Sequence, residues 1–317
     1  MCSFKSPLKD FLTQYCDHKE KNGFKHKSFF YGLSSFDKFC SFKNITIDDI
    51  TEENIKEWSK KRSIESSYMH YYRVSFSVGF LKYLATLGFK IYFPIVPICP
   101  VQNFRPYIYS DDEIERYMTA ADDFTRRNNR PISFQLPVII RLIYCCGLRI
   151  SEVLNIKCED VNLEDRTITI KKTKNEIPRF IVLNDDLCNL IKKYQKITNY
   201  YQEGMDYLFP NTKGTAIAVA RMEIYHKLIL RAAKIECKDP THVPRLHDFR
   251  HTMASKAFQK LINSGMSIYT ALPLLAAYLG HKNLSSTEKY LWLLESTIED
   301  FNEKVNQQAE VFFEGVL

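Results

Sequence analysis

Four prolines lie within residues 93–106, in the string Phe-Pro-Ile-Val-Pro-Ile-Cys-Pro-Val-Gln-Asn-Phe-Arg-Pro. Each proline lacks an amide hydrogen and has a fixed φ, so neither a regular helix nor a central strand runs through this stretch. It therefore reads as a linker, dividing the 317 residues into a segment of residues 1–92 and one of residues 107–317. Both are long enough to bury a core, and an apolar content of 45% argues against disorder.

Before the linker, apolar and aromatic residues recur at helical spacing in Phe29–Phe42, Ile55–Trp58 and Tyr68–Leu87, which predicts a small helical bundle. Asp and Thr in the string Ile47–Ile55 offer caps ahead of a helix, and Leu87-Gly88 reads as a helix end. After the linker, Ser110-Asp-Asp-Glu113 has the capping-box pattern, in which the serine caps and the glutamate reaches back. A buried helix is expected over Pro137–Cys146, ended by Gly147, with Ser151 capping the next. Thr167–Lys174 alternates in strand fashion, Asn175-Glu176 makes a turn, and Pro178–Leu183 returns as a second strand. The period of two sets Ile168, Ile170, Lys172 and Lys174 on one face. Helices follow, through an amphipathic tail at 295–317. The fold class is mainly α with a small β-hairpin or sheet, in two domains.

A formal net charge of +7 favours a polyanionic partner, although that balance also occurs in proteins that never touch nucleic acid. The nine cysteines include no Cys-x-x-Cys pair and suit reduced, mostly buried thiols in a cytoplasm. The N-terminal residues carry charges where a signal peptide needs an apolar run, and no stretch is long enough to span a bilayer.

Chemistry-bearing residues are spread through the second segment. Arg149 precedes a helix start, where free backbone amides favour a phosphate; on this fragment alone a surface pair with Glu152 is the favoured reading, and the phosphate reading needs its partners. His247 and Arg250 lie three apart beside an apolar stripe of Leu246, Phe249, Met253 and Ala257, close enough to reach one oxygen. His247 and His251 have the spacing of two metal ligands, but Asp248 stands where a zinc protease needs a glutamate. His281 follows the Leu279-Gly280 break, and Tyr290 lies on a segment opened by Ser285-Ser-Thr-Glu288. Arginines that grip phosphate oxygens, groups that move protons and a tyrosine nucleophile together suit attack on a phosphodiester.

Taken in order, Cys146-Gly-Leu-Arg-Ile-Ser-Glu152, Thr173-Lys-Asn175, His247-Asp-Phe-Arg-His-Thr-Met-Ala254 and Leu279-Gly-His-Lys-Asn-Leu-Ser-Ser-Thr-Glu-Lys-Tyr290 resemble the tyrosine recombinase (phage integrase) family. Residues 7–90 look like its helical core-binding (SAM-like) domain, and residues 107–317 like its mixed α/β catalytic domain. The resemblance implies two domains clamped around duplex DNA. Arg149, Lys174, His247, Arg250 and His281 would surround the scissile phosphate, with Glu152 supporting Arg149 and Tyr290 as nucleophile. His247 is the candidate base and Lys174 the candidate acid, with Lys172 the alternative on the same strand face. The product would be a 3′-phosphotyrosyl link, reversible without metal, ATP or other cofactor.

Further implications are a homotetramer in the synaptic complex, formed from monomers or dimers, a directionality factor as a candidate partner, and a cytoplasmic location. Candidate DNA contacts in the first domain are Lys25, Lys27 and Ser28 at one helix start, and Ser67, His70 and Arg73 on another; a solvated face accounts for them as well. Phe249 replaces the family's usual leucine. The stretch from Arg250 to His281 is longer than usual, with Ile268–Pro273 as the excess, so the helix before His281 is expected to be displaced. Little chain precedes the core-binding domain, so an arm-binding module is not expected. The alternatives are a type IB topoisomerase, disfavoured by the Leu-Gly-His turn and short spacing to Tyr290, and an inactive DNA-binding regulator, disfavoured because every catalytic position is filled.

Overall fold

The structure, a computed structural model, describes residues 3–24, 26–100, 106–127, 130–171, 178–202, 204–236, 243–280 and 287. The chain divides into two compact units, residues 1–104 and 105–317.

The first unit holds helices α1 (Lys9–Lys21), α2 (His26–Phe42), α3 (Glu52–Ser59) and α4 (Ser67–Thr86). Local chemistry starts two of them. The Thr51 hydroxyl accepts from Asn54 N at 3.4 Å and the Ser66 hydroxyl from Met69 N at 3.2 Å, each satisfying an otherwise orphaned amide. The helical spacing then turns aromatic residues inward. Phe36, Trp58 and Phe80 are almost fully buried, and the Phe36 and Trp58 rings meet edge-on at 5.1 Å. The indole N–H of Trp58 donates to Ser77 Oγ at 2.9 Å, so this ring is buried without losing a hydrogen bond.

The second unit is built on α6 (Pro131–Cys146), which packs against α5 (Asp111–Arg127), α8 (Asp185–Gln202) and α10 (Leu246–Asn263). The helix starts at Pro131, six residues before the position expected from sequence, and passes through Pro137. Burial on every side of Leu136–Ile143 outweighs the lost helical bond. The capping box opens α5 as read: Glu113 N donates to Ser110 Oγ at 3.2 Å and Ser110 N to Glu113 Oε2 at 2.9 Å. Phe249 of α10 is fully buried and stacks on Tyr109 at 4.3 Å with 3° between the rings, so an aromatic residue fits this position.

The hairpin is part of a three-stranded antiparallel sheet in the order β1 (Val161–Asn162), β2 (Thr167–Ile170), β3 (Arg179–Val182). Ile168 pairs with Ile181 and Ile170 with Arg179, which sets the isoleucines inward as the alternation predicts. The two-residue β1 is too short to carry a sequence pattern. Beyond α7 (Ile150–Leu154) and α9 (Val219–Ala232), the last described helix is α11 (Ile268–Leu279). Its first half is the stretch Ile268–Pro273 read as excess length. Ala271, Leu275 and Leu279 pack against Ala254, Phe258 and Ile262 of α10 in a small core of their own.

Candidate active site

The site begins at the end of α6. Gly147 ends the helix in the left-handed region at φ +61°, and a Cβ there would lie 1.9 Å from Met253 Cε. Glycine adopts this φ without strain and leaves the Met253 side chain of α10 its place. Leu148 is fully buried and anchors the turn, leaving Arg149 extended at φ −71°, ψ 144° as the N-cap of α7. The cap is thus Arg149 and not Ser151, because the carboxylate of Glu152 folds back onto the Arg149 amide at 3.0 Å. The same carboxylate accepts from Arg149 Nη1 at 2.8 Å. Glu152 is buried, which raises its pKa, but hydrogen bonds from Arg179 and from the Arg149 backbone and side chain outweigh that and hold it down to about 2.

The second component is the first turn of α10. Asp248 is buried and accepts from Arg245 N at 2.8 Å, fixing the helix start. One turn places His247 and Arg250 on neighbouring positions. Arg250 is only 1% exposed; its Nη1 donates to Gly147 O at 2.5 Å and its Nη2 to Leu279 O at 2.7 Å. One guanidinium thereby ties the turn before Arg149 to the helix end before His281. The end of α11 is held directly to Arg250 through Leu279 O. Burial, then the charges of Arg250, Arg245 and Arg149, push the His247 imidazole down to about 4. It is therefore neutral at pH 7 and able to accept a proton.

Arg149, Glu152, His247 and Arg250 converge on one place from α7 and α10. Lys174, with its alternative Lys172, His281 and Tyr290 lie outside the described residues, as does the tail at 295–317. Sequence reasoning missed Arg179, whose Nη1 and Nη2 donate to Glu152 Oε1 at 3.1 Å and Oε2 at 2.8 Å. A signal for it was present: Arg179 alternates with Phe180 on the same face as Ile181, and a charge on the inward face of a strand requires a partner. Among the described residues no group of three or more His, Cys, Asp or Glu side chains is placed to hold a metal ion. No described helix is long and apolar enough to cross a membrane.

In the first unit Lys25 and the side chain of Lys27 lie outside the described residues. Ser28 and Ser67 are exposed, and Ser67 Oγ accepts from Lys61 Nζ at 3.0 Å. His70 is half-buried, its Nε2 2.7 Å from Ser59 O. Arg73 corrects the sequence reading. It is 4% exposed, pairs with Glu65 Oε1 at 2.7 Å and donates to the carbonyls of Trp58 and Lys60, so it points into the core. A period of 3.6 cannot tell an arginine at the edge of a buried face from one at the edge of an exposed face.

The sequence model of the phage integrase family matches residues 108–296. A tyrosine recombinase of Pseudothermotoga lettingae is 26% identical over 86% of this chain and 88% of its own length. The fold is similar to that of the XerH site-specific recombinase bound to its difH substrate in a pre-cleavage complex, with a TM-score of 0.61 at 21% identity over 86% of this chain and 78% of that one. It is also similar to that of a lambda integrase in a tetramer bound to a Holliday junction, with a TM-score of 0.59 at 15% identity over 89% of this chain and 76% of that one. The chain belongs to the phage integrase family of tyrosine recombinases and is a site-specific DNA recombinase.

Proposed function

We propose that this recombinase cuts and rejoins duplex DNA through a 3′-phosphotyrosyl link to Tyr290, without metal or ATP, and serves the integration, excision or transposition of a mobile element. The observation that carries the reading is the convergence of Arg149, Arg250 and neutral His247, held together by the bonds from Arg250 to Gly147 O and Leu279 O. Two guanidiniums can stabilise the charge that builds on the non-bridging oxygens when the tyrosine attacks. Burial first, and then these positive charges, depress His247, and a phosphate seated on the arginines offsets the charges. The basicity of His247 then rises as the Tyr290 hydroxyl, with an ordinary pKa of about 10, needs a proton acceptor.

His281 adds a donor to the phosphate, and Lys174 protonates the departing 5′ oxygen. The phosphodiester's energy stays in the tyrosyl ester, so a 5′ hydroxyl from a partner duplex can reverse the step and exchange strands. The described residues of the first unit that suit DNA contact are Ser28, Ser67 and His70, with Lys25 and Lys27 named from sequence alone. A tetramer on two duplexes is the working assembly, in line with the lambda integrase tetramer on its junction.

The test is covalent trapping in EDTA, with nicked duplexes tiled from the DNA flanking the gene. Wild type should give a covalent band that Tyr290→Phe abolishes while binding persists. Lys174→Ala should slow cleavage of an ordinary substrate far more than one with a 5′-phosphorothiolate leaving group, which departs without a proton. Specific binding with no covalent band on any duplex would overturn the recombinase mechanism. Relaxation of supercoils without exchange between duplexes would make the chain a topoisomerase in practice.

A further inference from the structure

The carboxylate of Glu152 is shared by two arginines. Its Oε1 accepts from Arg149 Nη1 at 2.8 Å and Arg179 Nη1 at 3.1 Å; its Oε2 accepts from the Arg149 amide at 3.0 Å and Arg179 Nη2 at 2.8 Å. Arg179 thus holds the carboxylate by a fork, while Arg149 gives it a single side-chain bond. The side chains are 1% exposed for Glu152, 11% for Arg179 and 16% for Arg149, so water does little to screen the three charges. Two guanidiniums against one carboxylate leave a net positive charge. Without Arg179, a buried Glu152 would have Arg149 as its main counter-ion and would draw that guanidinium into a fork of its own. The charge meant for a phosphate would then be spent inside the protein.

A second contact is independent of the first. The Arg179 guanidinium lies against Gly280 so closely that a Cβ there would meet Nη1 at 3.1 Å and Cζ at 3.4 Å. Gly280 ends α11 at φ +66° and immediately precedes His281. Arg179 itself opens β3, the strand that pairs with β2. One side chain therefore joins the α7 start, the hairpin arm and the α11 end.

We propose that Arg179 is a positioning residue of the recombination site. By neutralising Glu152 it leaves the charge of Arg149 for the scissile phosphate, and by packing on Gly280 it sets the turn that leads to His281. This rests on the reading above that Arg149 and His281 act on that phosphate.

The test uses the full chain and single-turnover covalent trapping on the nicked duplex located above, with DNA affinity and thermal melting measured on the same preparations. Arg179→Gln should slow cleavage by about tenfold or more, with affinity for DNA within about twofold of wild type, the pattern of lost transition-state stabilisation. Arg179→Lys, which keeps the charge and loses the fork, should fall between them. The deciding arm is the double variant Arg179→Gln with Glu152→Gln. Removing the carboxylate frees Arg149 again, so the double variant should cleave faster than Arg179→Gln alone.

A role confined to stability predicts the opposite, a double variant slower than either single one and rates that track melting temperature. That result, or an Arg179→Gln protein that cleaves at the wild-type rate, overturns the inference. Should Arg179→Gln fail to fold, Arg179→Lys decides: cleavage at the wild-type rate overturns the inference, and cleavage slowed with affinity and melting kept supports it. A wild-type chain that forms no covalent product overturns the reading of the site itself, and this inference with it.

Discussion

Arg73, Arg179 and Arg250 are three buried or nearly buried cations with three different tasks. Arg250 donates to two backbone carbonyls from distant segments, Arg179 forks onto a carboxylate, and Arg73 does both at once, with Glu65 and the carbonyls of Trp58 and Lys60. The Arg73–Glu65 pair has side chains 4% and 9% exposed, and the Arg73 fork holds Glu65 down to about 2 against the cost of burial. Removing one partner of such a pair strands the other, at a cost of about 3–5 kcal/mol. Arg73→Met should therefore lower the unfolding free energy by that order, while DNA affinity measured well below the melting temperature stays at the wild-type level. A variant of unchanged stability and weakened binding would return Arg73 to the DNA-contact set.

Among the elements, the junction of α6, α10 and α11 does most to place the site. Gly147 allows the approach of Met253, and Arg250 bonds across the same gap to Leu279 O. Gly147→Ala demands a left-handed alanine and displacement of a methionine, together worth about 2–4 kcal/mol of stability. Adding Met253→Ala should relieve the steric share and leave the backbone share, which denaturant titration of Gly147→Ala, Met253→Ala and the double variant would separate. The capping box of α5 and the inward isoleucines of the hairpin were legible in sequence because each depends on neighbours a few positions away, whereas the sequence points to Ser151 as the α7 cap and the cap lies at Arg149. The extension of α6 through Pro137 was not legible, since only burial by other helices overrides a proline.

At the scale of the whole molecule, two compact units with separate cores flank the proline-rich stretch. Ile95 and Ile98 are more than 90% exposed and belong to neither core. Limited proteolysis should accordingly cut first within residues 93–106, and early cuts inside α4 or α6 would contradict the division. The pH dependence of stability sums over both units. His226, buried between Tyr117 Oη at 2.7 Å and Pro244 O at 3.0 Å, is pushed down to about 4 chiefly by burial, as is His247. The unfolded chain takes up these protons near pH 6.5 and the folded chain only near pH 4, so stability rises with pH across that window and is level above it. Glu65 and Glu152, held down to about 2, add a further loss below pH 4.5. Denaturation midpoints taken between pH 4.5 and 8 should fall on the acid side, with a shallower slope for His226→Gln; a flat profile would mean that both imidazoles are solvated.

The sequence by itself determined the mainly helical class, the small antiparallel sheet and the family, because periodicity, caps and short motifs act between near neighbours. Only the tertiary structure decided which charges face inward and what each one holds. The partners of those charges are distant in the chain: Arg179 reaches Glu152 across 27 positions, and Arg250 reaches Gly147 across 103. A buried charge is tolerated only with its partner in place, and that partner is brought to it by the packing of whole helices.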